Sequence, residues 1–218
     1  MDTDRSGTET GRPKRESLLP MYIAFGAALL AFGIYTWMML QDDQAQFRML
    51  VVPSQPAAQD FRLAASDGHR HSLADFRGRI VVLFFGFTRC PESCPLEMFK
   101  LSQVMPRLGA DRSRVQVIMI TLDPERDTAS QLRQYVTTFD PSFLGMTGAE
   151  DEIRQVAGKY GVRVRRLLVG RDYTLEHSAA VYVIDARGRE RLMGDVHTSV
   201  DDLAHDLKYL ANPSEKST

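Results

Sequence analysis

Two cysteines, Cys90 and Cys94, lie in the segment GFTRCPESCP at 86–95, and the chain has no others. The segment follows a continuous apolar run, IVVLFF at 80–85, and leads into a helical pattern opened by Pro95. At the C-terminal end of a buried strand, side chains meet the crevice where α/β folds bind ligands. A helix N-terminus beside a thiol favours the thiolate. The C-x-x-x-C spacing is one residue wider than a C-x-x-C dithiol, so both sulfurs can point at one ion. A disulfide across the loop stays open, as does a pair of small buried hydrophobes. Two thiolates are soft ligands that select Cu(I), zinc or iron–sulfur. A closed zinc site wants four ligands, and no further cysteine is available. One imidazole added to the two sulfurs makes a three-coordinate set acceptable to copper.

The chain has five histidines. His69 and His71 fall in a polar hairpin sequence and read as solvated surface. His205 lies off the apolar stripe of the last helix and reads as solvent-facing. His197 belongs to the approach of that helix. His177, in YTLEHSAAVYVID, immediately precedes a strand, at the end of a segment that can fold back over the strand ends. A metal ligand and a satisfied core histidine are both open readings for it.

The elements that would position these residues follow from periodicity and punctuation. Residues 61–63 and 71–73 read as a short hairpin around Asp67-Gly68. The runs at 80–85 and 115–122 read as strands buried on both faces. Pro95 fits the first turn of a helix, with Leu96, Phe99, Val104 and Leu108 towards the core and Pro106 bending or ending it. Thr128 and Gln131 form a capping box for a helix that ends near Phe139. Another helix runs from about 150 to 160, stopped by Gly161. Residues 179–184 and 189–193 flank Asp185-Ala-Arg-Gly188 as a hairpin, and Val200, Leu203, Ala204, Leu207 and Leu210 make one helical stripe. This order predicts an α/β class, thioredoxin-like fold with an N-terminal β-hairpin and an insertion before the last hairpin.

The chain of 218 residues carries 27 Lys and Arg against 28 Asp and Glu, a formal net charge of -1. That balance gives nucleic-acid binding no electrostatic support. No charge occurs from 18 to 40 (LLPMYIAFGAALLAFGIYTWMML), long enough for a transmembrane helix of roughly 20 apolar residues. The run ends in Trp and Met rather than at a small-residue cleavage site, which favours an uncleaved anchor over a signal peptide. Arg12, Lys14 and Arg15 precede it, and Asp42 and Asp43 follow. The positive-inside rule then puts the N-terminus in the cytoplasm. Acidic residues among the first 17 do not fit a mitochondrial transit peptide. The expected organisation is a cytoplasmic tail at 1–17, a single-pass anchor at 18–40 in a bacterial inner membrane, a linker at 41–58, a periplasmic domain at 59–212 and a tail at 213–218.

Three motifs in order, GFTRCPESCP, TLDPERDT at 121–128 and YTLEHSA at 173–179, resemble the Sco/SenC family of copper proteins. The likeness runs over about 150 residues, from near Asp60 to the last helix. It implies a copper site, for Cu(I) or Cu(II), made by Cys90, Cys94 and His177. It also implies a membrane-anchored chaperone that metallates the dinuclear copper A centre of cytochrome c oxidase. The partners would be the copper-bearing oxidase subunit, and other periplasmic copper chaperones or thiol reductants. The family usually has Asp before the histidine. Here it is Glu176, and either carboxylate can orient an imidazole. Asp123 is placed near the site or in turn formation. Two other functions compete: a thiol–disulfide oxidoreductase that uses Cys90 and Cys94 to keep the acceptor's cysteines reduced, and a copper or redox sensor.

Overall fold

The computed structural model describes residues 19–178, 180–195 and 197–212. The two tails, 1–17 and 213–218, lie outside the described residues. The chain divides into a unit ending at Gln46 and a compact unit beginning at Phe47.

The first unit is the helix α1, Leu19–Gln46, of 28 residues. Its side chains at 21–37 include no charged residue, and apolar ones such as Ile23, Phe25, Leu30 and Phe32 are well over half exposed. Among the described residues no helix is long and apolar enough to cross a membrane.

The second unit is built on an eight-stranded sheet: β1 (Leu50–Val51), β2 (Arg62–Ala65), β3 (Arg70–Ser72), β4 (Ile80–Gly86), β5 (Val115–Thr121), β6 (Leu144–Thr147), β9 (Val181–Ile184) and β10 (Glu190–Gly194). The spatial order is β1-β10-β9-β4-β5-β6-β2-β3. β4 pairs parallel with β5, β5 parallel with β6, and β4 antiparallel with β9. Alternation along β4 sends Ile80, Val82 and Phe84 to one core and Val81, Leu83 and Phe85 to the other, as an uninterrupted apolar strand requires. The first core is closed by α2 (Ser93–Arg107), α3 (Ala129–Phe139) and α5 (Val200–Ala211), the second by a 3-10 turn at Leu73–Phe76 and α4 (Glu150–Lys159). β7 (Val164–Val169) and β8 (Asp172–His177) form a separate two-stranded sheet, the body of the expected insertion. The thioredoxin-like expectation holds.

Three local expectations need correction. The linker placed at 41–58 is largely structured. Phe47 and Met49 are buried in the first core, β1 pairs with β10, and the buried Asp206 carboxylate accepts the backbone N–H groups of Arg48 and Met49. Second, α2 starts at Ser93, two residues before Pro95. With Cys94 buried in its first turn, the 3.6-residue period carries Met98, Leu101 and Met105 inward. Leu96 and Phe99, expected in the core, fall on the opposite face at 61% and 57% exposure. Third, β6 was not foreseen. Its four residues, LGMT, carry no alternation to mark them.

Candidate metal centre

β4 and β5 end together, Gly86 opposite Thr121, so the loops that follow them emerge side by side. The first carries Cys90, held in a turn by its N–H to the Phe87 carbonyl (3.2 Å). Cys94 sits in the first turn of α2 with its side chain fully buried. Gly86 makes room for it. A Cβ there would lie 3.1 Å from Cys94 Sγ and 2.7 Å from the Phe84 ring.

β8 brings His177 to the two sulfurs. One donor atom from each of Cys90, Cys94 and His177 lies within 4.8 Å of the others. Cys94 Sγ is 3.5 Å from His177 Nε2, and the Cys94 N–H donates to Cys90 Sγ at 3.3 Å. His177 Nδ1 faces the Ser178 carbonyl at 3.1 Å. A carbonyl only accepts, so in the neutral ring Nδ1 holds the proton and Nε2 turns its lone pair to the sulfurs. Burial lowers the His177 pKa, against the smaller opposing pull of that carbonyl, which favours this neutral form.

The thiols differ. Burial pushes Cys94 far above the ordinary range, helped by its hydrogen bond to Cys90. Burial also acts upward on Cys90, but hydrogen bonds from the Ser93 hydroxyl and from Cys94 outweigh it and leave its pKa lowered. Cys90 is half-buried and lines an open groove of about 560 Å³ that Ser93, Leu96 and His177 also line. The arrangement is an accessible sulfur, a buried sulfur and an imidazole nitrogen around one point. Two soft donors and one imidazole suit Cu(I), zinc or Cu(II) better than a hard cation.

Among the described residues no other histidine joins them. His71 pairs with Asp67 at 2.7 Å on the β2–β3 hairpin, and the His197 N–H bonds Asp195 in the loop before α5. His205 is half-buried against Asp206 at 2.8 Å rather than free in solvent. Glu176 does not orient His177. Strand alternation turns it outward, where it pairs with Arg165. Asp123 shapes a turn, its carbonyl accepting from Arg126 and Asp127, and its carboxylate pairs with Arg126. Sequence reasoning missed Asp127, which is fully buried. Its only signal was membership of the TLDPERDT motif.

The SCO1/SenC family model matches residues 52–212, most of the chain and every residue of this centre. The chain belongs to the SCO1/SenC family. It is 36% identical over 197 residues to the bovine mitochondrial SCO2 homolog, covering 86% of this chain and 72% of that protein. It is 35% identical over 133 residues to a SCO2-like protein of Rickettsia felis, covering 60% of this chain and 65% of that one. The copper-bound structure of Arabidopsis thaliana ScoI aligns with a TM-score of 0.67 at 30% identity, over 72% of this chain and 99% of that one. This SCO1/SenC chain thus has the thioredoxin-like core of solved Sco structures, with its three candidate ligands brought together.

Proposed function

We propose that the chain is a membrane-anchored copper chaperone that passes copper to the dinuclear copper A centre of cytochrome c oxidase. The Sco family is one of cytochrome c oxidase assembly proteins, and the ScoI structures of Arabidopsis thaliana and Bradyrhizobium japonicum hold copper. The observation that carries the reading is the convergence of Cys90 Sγ, Cys94 Sγ and His177 Nε2. The two sulfurs bind copper as thiolates and His177 supplies the third ligand. Because Cys90 opens into the groove, a ligand of the oxidase's copper-bearing subunit meets it first, and copper moves by stepwise ligand exchange.

The anchor is the run 18–40. Its support is the uncharged sequence, whose length at about 1.5 Å per residue would cover a core of about 30 Å, and the exposed apolar side chains at 21–37, although the described helix alone falls short of a spanning one. The flanking charges favour a cytoplasmic N-terminus and a metal centre on the outer face of a bacterial inner membrane. Residues 41–46 join the run to the compact unit.

A second reading has its own support. Cys90 is accessible and its pKa is lowered by hydrogen bonds from Ser93 and Cys94, a direction that favours thiol–disulfide exchange, and a disulfide switch has been described in BsSco. His177 separates the two, since exchange does not need an imidazole. The test is complementation of a deletion strain with His177→Ala, reading oxidase activity and the thiol state of the oxidase subunit. Copper delivery predicts reduced acceptor thiols with impaired oxidase. Normal oxidase activity with His177→Ala, while Cys90→Ala fails with an oxidised acceptor, would overturn delivery and leave the reductase.

A further inference from the structure

The hairpin that carries His177 makes no strand pairing with the main sheet, so side chains must fix its position. Leu175 packs on both cores. From the cysteine segment, the Phe87 ring lies edge-on to His177 at 5.9 Å between centroids and Arg89 pairs with Asp172 at 3.9 Å; the denser attachment converges on the loop after β5. Tyr173 OH reaches Asp123 Oδ1 (2.7 Å) and Glu125 Oε2 (3.1 Å). Its ring is held between two guanidinium groups, Arg126 at 3.7 Å and Arg166 at 4.0 Å from the ring centre, an arrangement favoured by the ring quadrupole. Arg126 also donates to the Tyr173 carbonyl (3.0 Å) and the Asp172 carboxylate (3.1 Å), while pairing with the buried Asp123.

The same loop grips the other ligand segment. The Asp127 carboxylate accepts the Thr88 N–H (2.9 Å), the Thr88 hydroxyl (2.5 Å) and the Thr121 hydroxyl (2.6 Å). Thr88 lies two residues before Cys90. The loop between β5 and α3 therefore holds the cysteine loop through Asp127 and the histidine hairpin through Asp123 and Arg126.

We propose that this loop is a bracket that sets the distance between the two thiolates and the imidazole, with Asp127 positioning Cys90 and the Asp123–Arg126–Tyr173 cluster positioning His177. The inference rests on the copper reading of the site. Its two arms separate because Cu(II) needs the imidazole more than Cu(I), which two sulfurs satisfy in linear geometry.

The experiment uses the full chain in detergent, with Cu(I) affinity by chelator competition, Cu(II) affinity and spectrum, and amide exchange of the metal-free protein. Tyr173→Ala is expected to weaken Cu(II) by about tenfold, the low end for residues that orient a ligand, and to alter the Cu(II) spectrum. It should leave Cu(I) within about threefold, speed exchange at 172–177 without touching the central strands, and add nothing in a His177→Ala background. Tyr173→Phe, which keeps the stacking, should recover part of the loss. Asp127→Asn is expected to weaken both oxidation states by about tenfold, and to do so equally in the His177→Ala background. Should it fail to fold, Thr88→Val, which removes one hydroxyl, gives the same pattern at smaller size. Equal effects of Tyr173→Ala with and without His177, or unchanged affinities in both arms, would overturn the bracket. Wild-type protein that binds no copper would overturn the reading of the site itself.

Discussion

Where the compact unit begins has a measurable consequence. A soluble form starting at Phe47 is expected to fold, whereas one starting at residue 59 is expected to be unfolded or nearly so. The shorter form loses Phe47 and Met49, exposed by only 7% and 5%, and burial of such side chains stabilises by about 1.5–3 kcal/mol each. It also strips the fully buried Asp206 carboxylate of the N–H groups of Arg48 and Met49, which lie 2.8–3.1 Å away. The carboxylate keeps the His205 ring nitrogen at 2.8 Å, and losing the N–H partners of such a group costs about 1–3 kcal/mol. The loss comes to about 4–9 kcal/mol before the β1–β10 pairing is counted, against a total stability of about 5–15 kcal/mol for a domain. Urea melts followed by circular dichroism of 47–212, of 59–212 and of 47–212 with Asp206→Ala measure it. The single variant should fall between the two. If 59–212 unfolds within about 0.5 kcal/mol of the longer form, the segment 47–58 is an ornament on the fold and the argument fails.

Other outcomes follow from the packing and the site. Gly86→Ala drives a methyl into the buried Phe84 ring and towards Cys94 Sγ, so it should cost about 1–3 kcal/mol as overpacking does and weaken copper binding; Phe84→Leu in the same chain should restore part of both, and a neutral Gly86→Ala would show that the contact is not tight. Leu101→Ala should cost about 2–5 kcal/mol and Phe99→Ser less than about 0.5, by thermal melts, because Leu101 is buried and Phe99 exposed; equal losses would put α2 in the wrong register. Copper affinity should rise with pH. Cys94, its pKa raised by burial, keeps its proton through the neutral range and must lose it to the metal, which gives about tenfold per pH unit. Cys90, with a lowered pKa, steepens that slope only below its own titration, and His177, with a lowered pKa, adds nothing at neutral pH. Cu(I) competition between pH 6 and 8.5 that shows a flat affinity would refute this order of titration.

Much of the molecule was legible because its signals were local. IVVLFF and VQVIMIT read as buried strands because each is wholly apolar or nearly so, and Thr128 with Gln131 read as a cap because both hydrogen bonds lie within one turn. The ligand set was legible in part. Cys90 and Cys94 stood out by spacing, but His177 stood out only by family likeness, since its approach to the sulfurs depends on a hairpin folded 83 residues along the chain from Cys94. What was not legible depended on partners distant in sequence. Phe47 and Met49 looked like linker because what holds them is distant in sequence: the Asp206 carboxylate, which accepts the N–H groups of Arg48 and Met49, and the first core, in which both are buried. Leu96 and Phe99 looked like core because the helix start was read from Pro95 rather than from Ser93. Glu176 looked like a partner of His177 because adjacency in sequence says nothing of strand alternation, which sends neighbours to opposite faces.

The two sulfurs are unequal in a way that bears on cargo transfer. Cys94 is fully buried, its pKa pushed up by that burial, and within hydrogen-bond reach of His177 Nε2, while Cys90 is half-buried, its pKa lowered by hydrogen bonds, and open to the groove. On the proposed copper reading, an incoming ion would meet Cys90 first and displace a proton to gain Cys94. For departure the order reverses in space but not in access: a competing ligand enters from the groove and reaches the Cys90 side, since behind Cys94 stand Gly86 and Phe84. The bond to Cys94 is then the last to break, and its high proton affinity helps it to break, because a thiol that regains its proton does not recapture the metal. A centre of two equally exposed thiolates would bind copper as readily but would give it up in no fixed order. On the proposed copper-delivery reading, a buried Cys94 whose pKa is raised favours handing copper on over storing it.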